Sequence, residues 1–265
     1  MKFYFKPWVI FLGLFLLISL LSSVRANQLA EIKASKELKV CIWPEYYAIT
    51  YRNPKTHKLN GIDIELSQAL GKELGVAIRY VDSSFSVLVE NLLNRRCDIA
   101  MHAIGVTPER AQKLQFTKPY LYSDIYAITT KNNQAIKTWS DIDMPGHVIA
   151  VQVGTVMEPV MRNYLKKANL FIVKPPVRRE QEVESGRADA FMTDYPYSRR
   201  MLATADWARV VAPERPFHIT EYAYALAPGD PSLLAVVNDF IERFRQDGRL
   251  RQIAKSYKLE SIVMP

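Results

Sequence analysis

The sequence is short of the residues that build disulfide-rich scaffolds and metal sites. It holds two cysteines, Cys41 and Cys97, and its four histidines lie far apart along the chain. These counts and spacings exclude a cysteine-rich small domain and the usual zinc-binding patterns, so we expect no metal and no other cofactor. Two cysteines fit either one disulfide or two separate buried thiols.

Long apolar segments are equally scarce, and the one clear example lies near the N-terminus. Residues 9–21 are apolar, follow a basic start at Lys2, and precede small residues at Val24 and Ala26. The run is too short to be a good membrane span, and the small residues form an acceptable cleavage pattern. We therefore interpret residues 1–26 as a secretory signal peptide and expect a periplasmic protein, with an uncleaved membrane anchor as the alternative.

The positive charge of the chain is mild and scattered. The formal net charge is +8 for the whole chain and +5 without residues 1–26, because that segment contains three basic and no acidic residues. Basic residues elsewhere stand in short pairs, such as Arg95 and Arg96, rather than in long runs. A nucleic-acid-binding surface needs a denser basic patch, so we expect no nucleic-acid partner.

Strand and helix patterns alternate along the rest of the chain, which predicts an α/β fold with mostly parallel sheets. Two such units occur, and their third strands end near Arg110 in the first half and at Asp194 in the second. We expect two lobes whose strand ends face each other across a cleft, where small ligands commonly bind.

Arg110 is the first candidate for a binding residue. A buried-type strand over residues 99–104 leads through Gly105 to Thr107, a good N-cap, and Pro108, which suits the first helical position. A cation in the first helical turn opposes the helix dipole, so helix stability does not explain Arg110. Its planar guanidinium suits a carboxylate, and a surface ion pair with a neighbour is the alternative.

Polar residues also follow two predicted strands of the second half. Gly154 and Thr155 open a helix, where a backbone N–H and a hydroxyl favour an anion. Asp194 ends another strand and offers a negative charge for a cation. Both Asp194 and Thr155 could instead serve as helix caps and nothing more.

Aromatic residues in loops of the first half complete the set. Trp43, Tyr46 and Phe85 offer flat apolar faces, although aromatic residues also suit a core. The cation Arg110, the anion Asp194 and these aromatic walls together describe a site for a zwitterion.

Five motifs, taken together and in order, carry a resemblance to a known family. They are Gly61-Ile-Asp-Ile-Glu-Leu66, Asp98-Ile-Ala-Met101 with Thr107-Pro-Glu-Arg110, Phe116-Thr-Lys-Pro-Tyr120, Val153-Gly-Thr155, and Gly186-Arg-Ala-Asp-Ala190 with Asp194. Over nearly its full mature length the chain resembles the bacterial periplasmic solute-binding proteins for polar amino acids. The resemblance implies a two-lobed α/β fold of the periplasmic-binding-protein type II kind, in which each lobe is an open, mostly parallel sheet flanked by helices.

The same resemblance implies where the lobes begin and end. Residues 27–122 together with 228–265 would form the first lobe, and residues 123–227 the second. Two crossover segments, near residues 122–125 and 227–230, would join the lobes and let them close on a ligand.

The resemblance also implies roles for individual residues. It puts carboxylate binding at Arg110, amine binding at Asp194, aromatic walls near Tyr46 and Phe85, and the glycine and hydroxyl of the second-lobe helix start at Gly154 and Thr155.

The chain departs from the family pattern inside the pocket. His102, Ala103 and Gly105 stand where many members have small hydroxyl residues, and Val156 replaces a second hydroxyl. The acid that some members place in the first loop is replaced around Trp43. We therefore expect a retained amino-acid frame around an altered side-chain pocket, with a modified amino acid or another small carboxylate as ligand.

The leading functional hypothesis is a monomeric, non-enzymatic receptor that hands its ligand to a membrane ABC permease. One alternative is an enzyme of the cyclohexadienyl-dehydratase type, which uses a glutamate in the segment after Asp194. Residues 195–200 contain no carboxylate, so the general acid of that chemistry is missing there. A second alternative is an accessory protein for a periplasmic oxidoreductase.

Overall fold

The computed structural model describes residues 28–265. The predicted signal peptide, residues 1–26, lies outside the described residues. Within them, no helix combines the length and apolar character that a membrane span needs.

The described chain contains thirteen strands. They are β1 (Glu37–Ile42), β2 (Tyr51–Arg52), β3 (Leu59–Asn60), β4 (Ala77–Asp82), β5 (Ile99–Gly105), β6 (Gln115–Phe116), β7 (Leu121–Ser123), β8 (Ile125–Thr130), β9 (Val148–Gln152), β10 (Asn169–Val173), β11 (Ala190–Asp194), β12 (Ala208–Val211) and β13 (Thr220–Leu226).

Nine α-helices and two short 3₁₀-helices, Trp139–Asp141 and Glu260–Ile262, complete the described part of the chain. The α-helices are α1 (Gln28–Ser35), α2 (Ile62–Leu74), α3 (Leu88–Leu93), α4 (Pro108–Ala111), α5 (Met157–Tyr164), α6 (Arg179–Glu184), α7 (Tyr195–Thr204), α8 (Pro231–Gln246) and α9 (Arg249–Ser256).

The larger strands form two separate sheets, one for each lobe. The first has the order β4-β1-β5-β13-β6, with β7 also paired to β13, and the second has the order β10-β9-β11-β8-β12. In the first sheet β1 runs parallel to β4 and β5, whereas β13 runs antiparallel to β5. In the second, β9 runs parallel to β10 and β11, whereas β8 runs antiparallel to β11 and β12.

The expectation of mostly parallel sheets is therefore wrong, because both sheets are mixed. The antiparallel strands are those that carry the chain between lobes: β8 is the first strand after the outward crossing, and β13 is the first after the return.

The crossings correct one lobe boundary. The chain leaves the first sheet after β7 and enters the second at β8, close to the expected first crossing. It returns after β12, through residues 212–219, and β13 pairs with β5 of the first sheet. The second crossing expected near residues 227–230 is therefore wrong, and β13 belongs to the first lobe.

A disulfide ties the first sheet together. Cys41 on β1 and Cys97 just before β5 are bonded, with their Cα atoms 5.5 Å apart. The two cysteines therefore form one disulfide rather than two separate buried thiols. The bridge joins the two strands whose ends lead to the cleft between the lobes.

Candidate functional site

The cleft lies where the carboxyl ends of β5, β9 and β11 meet between the lobes, the usual position for a ligand in open α/β sheets. A small cavity of ≈ 30 Å³ occupies it. The residues that line the cavity come from both lobes: Trp43, Tyr46, Phe85, Ala103, Gly105, Thr155, Val156, Met157, Arg179, Thr193, Asp194, Tyr197 and Tyr222.

Arg110 reaches across the cleft at the edge of this cavity. The Thr107 side chain accepts a hydrogen bond from the Arg110 backbone N–H at 3.3 Å and caps α4, as expected. The Arg110 guanidinium donates through Nη1 to Gly105 O and through Nη2 to Gly154 O, both at 2.7 Å. One side chain therefore joins the two lobes. Burial lowers the pKa of Arg110 to about 10, which leaves it a cation at neutral pH.

Asp194 receives donors from both lobes. It caps α7, where its Oδ1 accepts from the Tyr197 backbone N–H at 3.1 Å. Its Oδ2 accepts from the Tyr222 hydroxyl at 2.9 Å and from the Tyr46 hydroxyl. Burial, followed by the charge of Asp194, raises the pKa of both phenols well above the usual value, so both remain protonated donors.

Gly154 of the second lobe lies against the backbone of the first. Its φ is +77°, and a Cβ atom there would lie 2.7 Å from the backbone N and Cα of Ser86 in the first lobe. A larger residue would hold the lobes apart. The Gly154 N–H, expected to meet a ligand, donates to Glu158 Oε2 at 2.9 Å, and the Thr155 hydroxyl donates to Gln152 O at 2.8 Å.

The three predicted aromatic residues form one cluster beside the cavity. The ring centroid of Trp43 lies 5.2 Å from that of Tyr46 and 5.4 Å from that of Phe85. Trp43 also faces Tyr197 of the second lobe, with ring centroids 6.1 Å apart and planes 7° from parallel. The Arg110 guanidinium lies over Phe85, 5.6 Å from its centroid.

His102 does not reach the cavity. It is fully buried, with its Nδ1 3.2 Å from Cys41 O and its Nε2 without a hydrogen-bond partner among residues 28–265. Burial lowers the pKa of His102 to about 3, so the ring is neutral. Ala103, its neighbour on β5, does line the cavity.

A buried carboxylate supports β5 from behind. The side chain of Asp63 accepts hydrogen bonds from the Ala103 backbone N–H at 3.0 Å, from the Tyr224 hydroxyl at 2.9 Å and from the Tyr120 hydroxyl at 2.6 Å. Burial raises the pKa of Asp63 to about 7, although these three donors act to lower it.

The structure thus brings most of the predicted site residues together. Trp43, Tyr46, Phe85, Ala103, Gly105, Thr155 and Asp194 line the cavity, and Arg110 and Gly154 meet through a hydrogen bond at its edge.

Five residues that sequence reasoning missed also line the cavity: Met157, Arg179, Thr193, Tyr197 and Tyr222. A signal existed for Arg179, because it opens α6 as a cation in a first helical turn, the same feature that singles out Arg110. Tyr222 gave no signal, since a tyrosine in a strand is typical of ordinary sheet packing.

Comparison with known proteins places this site in a family. Residues 38–260 match the model for bacterial extracellular solute-binding proteins, family 3. Cyclohexadienyl dehydratase of Pseudomonas aeruginosa is 31% identical over 238 residues, which cover 89% of this chain and 88% of that protein. The L-cystine-binding protein TcyJ of Escherichia coli is 27% identical over 200 residues, which cover 76% of this chain and 74% of that protein.

A solved structure agrees with the two-lobed architecture. The ancestral amino acid-binding protein AncCDT-1, a precursor of cyclohexadienyl dehydratase, matches with a TM-score of 0.79 at 31% identity, over 87% of this chain and 99% of that one. This confirms the two-lobed α/β fold expected from the sequence. Because the family model covers most of its length, the chain belongs to the bacterial extracellular solute-binding proteins, family 3.

Proposed function

We propose that the chain is a periplasmic receptor that binds an amino-acid-like zwitterion between its lobes and delivers it, as a monomer and without chemistry, to an ABC permease. The observation that supports this most directly is the pairing of Arg110 and Asp194, a cation and an anion from opposite lobes at one buried cavity. Such a pair complements the two charges of a free amino acid.

Each charge in the site already has a protein partner that a ligand can replace. The carboxylate of the ligand would take the place of Gly154 O at the Arg110 fork, since a guanidinium binds a carboxylate through two parallel hydrogen bonds. The ammonium would take the place of the Tyr46 hydroxyl at Asp194.

The size of the cavity implies that the lobes move. The cavity of ≈ 30 Å³ is too small for an amino acid. At roughly 10–15 Å³ for each water, it has room for about two water molecules. The ligand must therefore enter a more open arrangement, after which the lobes close over it.

An enzyme is the second candidate, since the chain is similar to a cyclohexadienyl dehydratase. Two observations count against it. Residues 195–200, after Asp194, contain no carboxylate. The nearby Glu180 is a poor proton donor: burial acts to raise its pKa, but the neighbouring Arg179 and other groups lower it overall, so it stays ionised. An accessory role beside an oxidoreductase has no comparable support.

Calorimetry with a panel of free amino acids tests the proposal. Arg110→Ala and Asp194→Asn should each weaken binding of the best ligand by about 2–5 kcal/mol, because each leaves a desolvated charge unpaired. That corresponds to roughly 30-fold to several-thousand-fold in affinity. Arg110→Lys should also bind weakly, since a point charge cannot reproduce the fork.

The control is Arg79→Lys, a change at an exposed arginine that pairs with Glu37 away from the cleft. It should bind like the wild type. Wild-type affinity in a folded Asp194→Asn variant would exclude the zwitterion model. Turnover of a cyclohexadienyl substrate by the purified protein would show that it is an enzyme and would contradict the receptor proposal.

A further inference from the structure

A second, larger cavity lies beside the first and has no part in the proposed function so far. It encloses ≈ 340 Å³, against ≈ 30 Å³ for the cavity at Asp194. Four side chains line both spaces: Trp43, Phe85, Arg179 and Tyr197. The two cavities are therefore adjoining compartments of one cleft, and these shared side chains form the wall between them.

We propose that this second cavity receives the side chain of the ligand, that Arg179 binds an anionic group on that side chain, and that the ligand is an acidic amino acid or a similar dicarboxylate. The inference rests on the proposed function, because it requires the α-carboxylate and ammonium to bind at Arg110 and Asp194.

Arg179 is built into the wall as a rigid, buried cation. Its side chain is 4% exposed. The guanidinium carbon lies 4.2 Å from the ring centroid of Tyr197 and 4.9 Å from that of Phe191, and Nη1 donates to Met192 O at 3.0 Å. Rings on which a guanidinium stacks hold its plane in place and leave the edge donors for a partner. One backbone hydrogen bond uses one of five donors.

The acidic neighbours of Arg178 and Arg179 do not occupy the remaining N–H donors of the two guanidinium groups. Arg179 Nε lies 3.6 Å from Glu180 Oε1, and Arg178 Nη2 lies 3.6 Å from Glu45 Oε2. Both separations are longer than a hydrogen bond. Glu180 Oε1 accepts instead from the Tyr197 hydroxyl.

The charges that line the second cavity are equal in number, Arg178 and Arg179 against Glu45 and Glu180. Arg200 lies outside this lining, where its Nη1 donates to the hydroxyl of Tyr197 at 2.8 Å. The two ion pairs stay at 3.6 Å, so neither carboxylate forms a bidentate pair with its arginine.

A simpler role for Arg179 would be to neutralise Asp194 across the first cavity. Asp194 already accepts hydrogen bonds from two phenols and one backbone N–H. Three donors are enough to hold a buried carboxylate without a cation. Arg179 is therefore not needed to hold Asp194, and it borders the space into which a side chain would extend.

Paired ligands that differ by one charge test this directly. Affinities for L-glutamate and L-glutamine, and for L-aspartate and L-asparagine, would be measured by calorimetry on the wild type. We expect the acid of the better pair to bind at least about tenfold more tightly than its amide, because a carboxylate offers the guanidinium a negative charge and two acceptor oxygens, whereas the amide offers one acceptor and no charge. In Arg179→Met this preference should disappear while the amide keeps its affinity within about threefold.

The matched control is Arg187→Met, the same change at an exposed arginine that pairs with Glu182 outside the cleft. It should keep the full preference. If Arg179→Met does not fold, Arg179→Lys takes its place, and the preference should fall by at least about threefold because the fork is lost.

Three results would overturn the inference. Equal or better binding of the amide to the wild type would do so and leave the proposed function intact. An unchanged preference in the folded Arg179 variant would do the same. If no free amino acid bound the wild type at all, the proposed function would fail, and this inference with it.

Discussion

The two lobes meet at one cleft, but they are supported behind it in different ways. In the first lobe a disulfide joins Cys41 on β1 to Cys97 beside β5, and buried Asp63 holds the backbone N–H of Ala103 on β5. The second lobe has no cysteine, and hydrogen bonds to capping side chains such as Asp194 hold its cleft edge. A disulfide and a buried carboxylate therefore stabilise the cleft edge of the first lobe. The cleft edge of the second lobe depends on hydrogen bonds, which a ligand could replace with its own.

This difference suggests a division of labour between the lobes. The side chains that the first lobe places on the cavity are mainly aromatic, such as Trp43 and Phe85, and they pack against one another. The second lobe places Asp194 and Arg179 there, both charged and both buried. In the proposed function the ligand would therefore meet mainly aromatic side chains together with Arg110 in the first lobe, and Asp194 and Arg179 in the second.

The largest expected effect comes from removing the disulfide of the first lobe. Replacing Cys41 and Cys97 together by serine should lower the free energy of unfolding by about 4 kcal/mol, because the 56-residue separation leaves a long open loop in the unfolded chain. Urea unfolding followed by Trp43 fluorescence, with Trp139 and Trp207 replaced by phenylalanine, should show the loss, since Trp43 lies in the first lobe.

The control uses Trp139, in the second lobe, as the fluorophore of the same disulfide variant, with Trp43 and Trp207 replaced by phenylalanine. Its transition should shift much less than that of Trp43. Equal shifts at both tryptophans would mean that the lobes unfold as one unit. The disulfide would then stabilise both lobes equally, and the proposed difference between them would be wrong.

The next effect is a dependence of stability on pH that belongs to the first lobe. The pKa of Asp63 is about 7 when folded and about 4 when unfolded. Between these values the folded state holds a proton that the unfolded state has lost. The contribution of Asp63 is therefore fully present below pH 4 and is lost as the pH rises to about 7, at about 1.4 kcal/mol per pH unit.

Asp63→Asn removes this titration. Between pH 4.5 and 6.5 the difference in unfolding free energy between wild type and variant should change by roughly 2 kcal/mol, in favour of the variant at the higher pH. Urea titrations at five pH values would measure it. A constant difference would show that Asp63 titrates near its ordinary value.

His102 should produce a slope of the same size and opposite sign. Its pKa is about 3 when folded and about 6.5 when unfolded, so the unfolded state binds the extra proton. The stability from neutral His102 is present above pH 6.5 and is lost as the pH falls toward 3. His102→Gln should relatively stabilise the protein at pH 4.5, and the wild type should show a nearly flat profile where the two slopes overlap.

A smaller effect should follow from filling the gap between the lobes. In Gly154→Ala the new methyl group would meet the backbone of Ser86, so the lobes should close incompletely and ligand affinity should fall about tenfold. A positive φ for alanine should also cost about 1–2 kcal/mol of stability. Small-angle scattering with saturating ligand should show a larger radius of gyration than for the wild type.

Gly186→Ala separates these two consequences. Gly186 has a φ of +76°, but a Cβ there would meet no atom within 4 Å. This variant should lose the same stability and keep wild-type affinity and compaction. Equal affinity loss in both variants would assign the effect to backbone strain rather than to blocked closure.

Much of the site could be predicted because strand ends and helix starts leave clear marks in a sequence. Arg110 is unexplained by the helix that it opens, and Asp194 follows a buried strand; both reach the cleft. The prediction that both His102 and Ala103 belong to the binding site conflicts with the alternation of side chains along a strand, since adjacent residues cannot face the same side. The structure resolves this in favour of Ala103.

The lobe boundary was less accessible to sequence reasoning. β13 is one more apolar strand in the sequence, and its partner β5 lies more than a hundred residues earlier. Local patterns predict that a strand exists, but they do not determine which sheet it joins. The prolines at positions 213 and 216 mark residues 212–219 as irregular and are the one local sign of the crossing.

The hydrogen bond from Arg110 to Gly154 O makes the protein its own competitor. In the proposed function a ligand carboxylate would have to displace this backbone carbonyl from Nη2, while Nη1 already donates to Gly105 O. If the self-bonded arrangement outnumbered the receptive one by about 100 to 1, the apparent affinity would be about 100-fold below the intrinsic one. Weak ligands would then be rejected without any contact that discriminates against them, and affinity would rise in variants that loosen this bond without disturbing the ligand contacts.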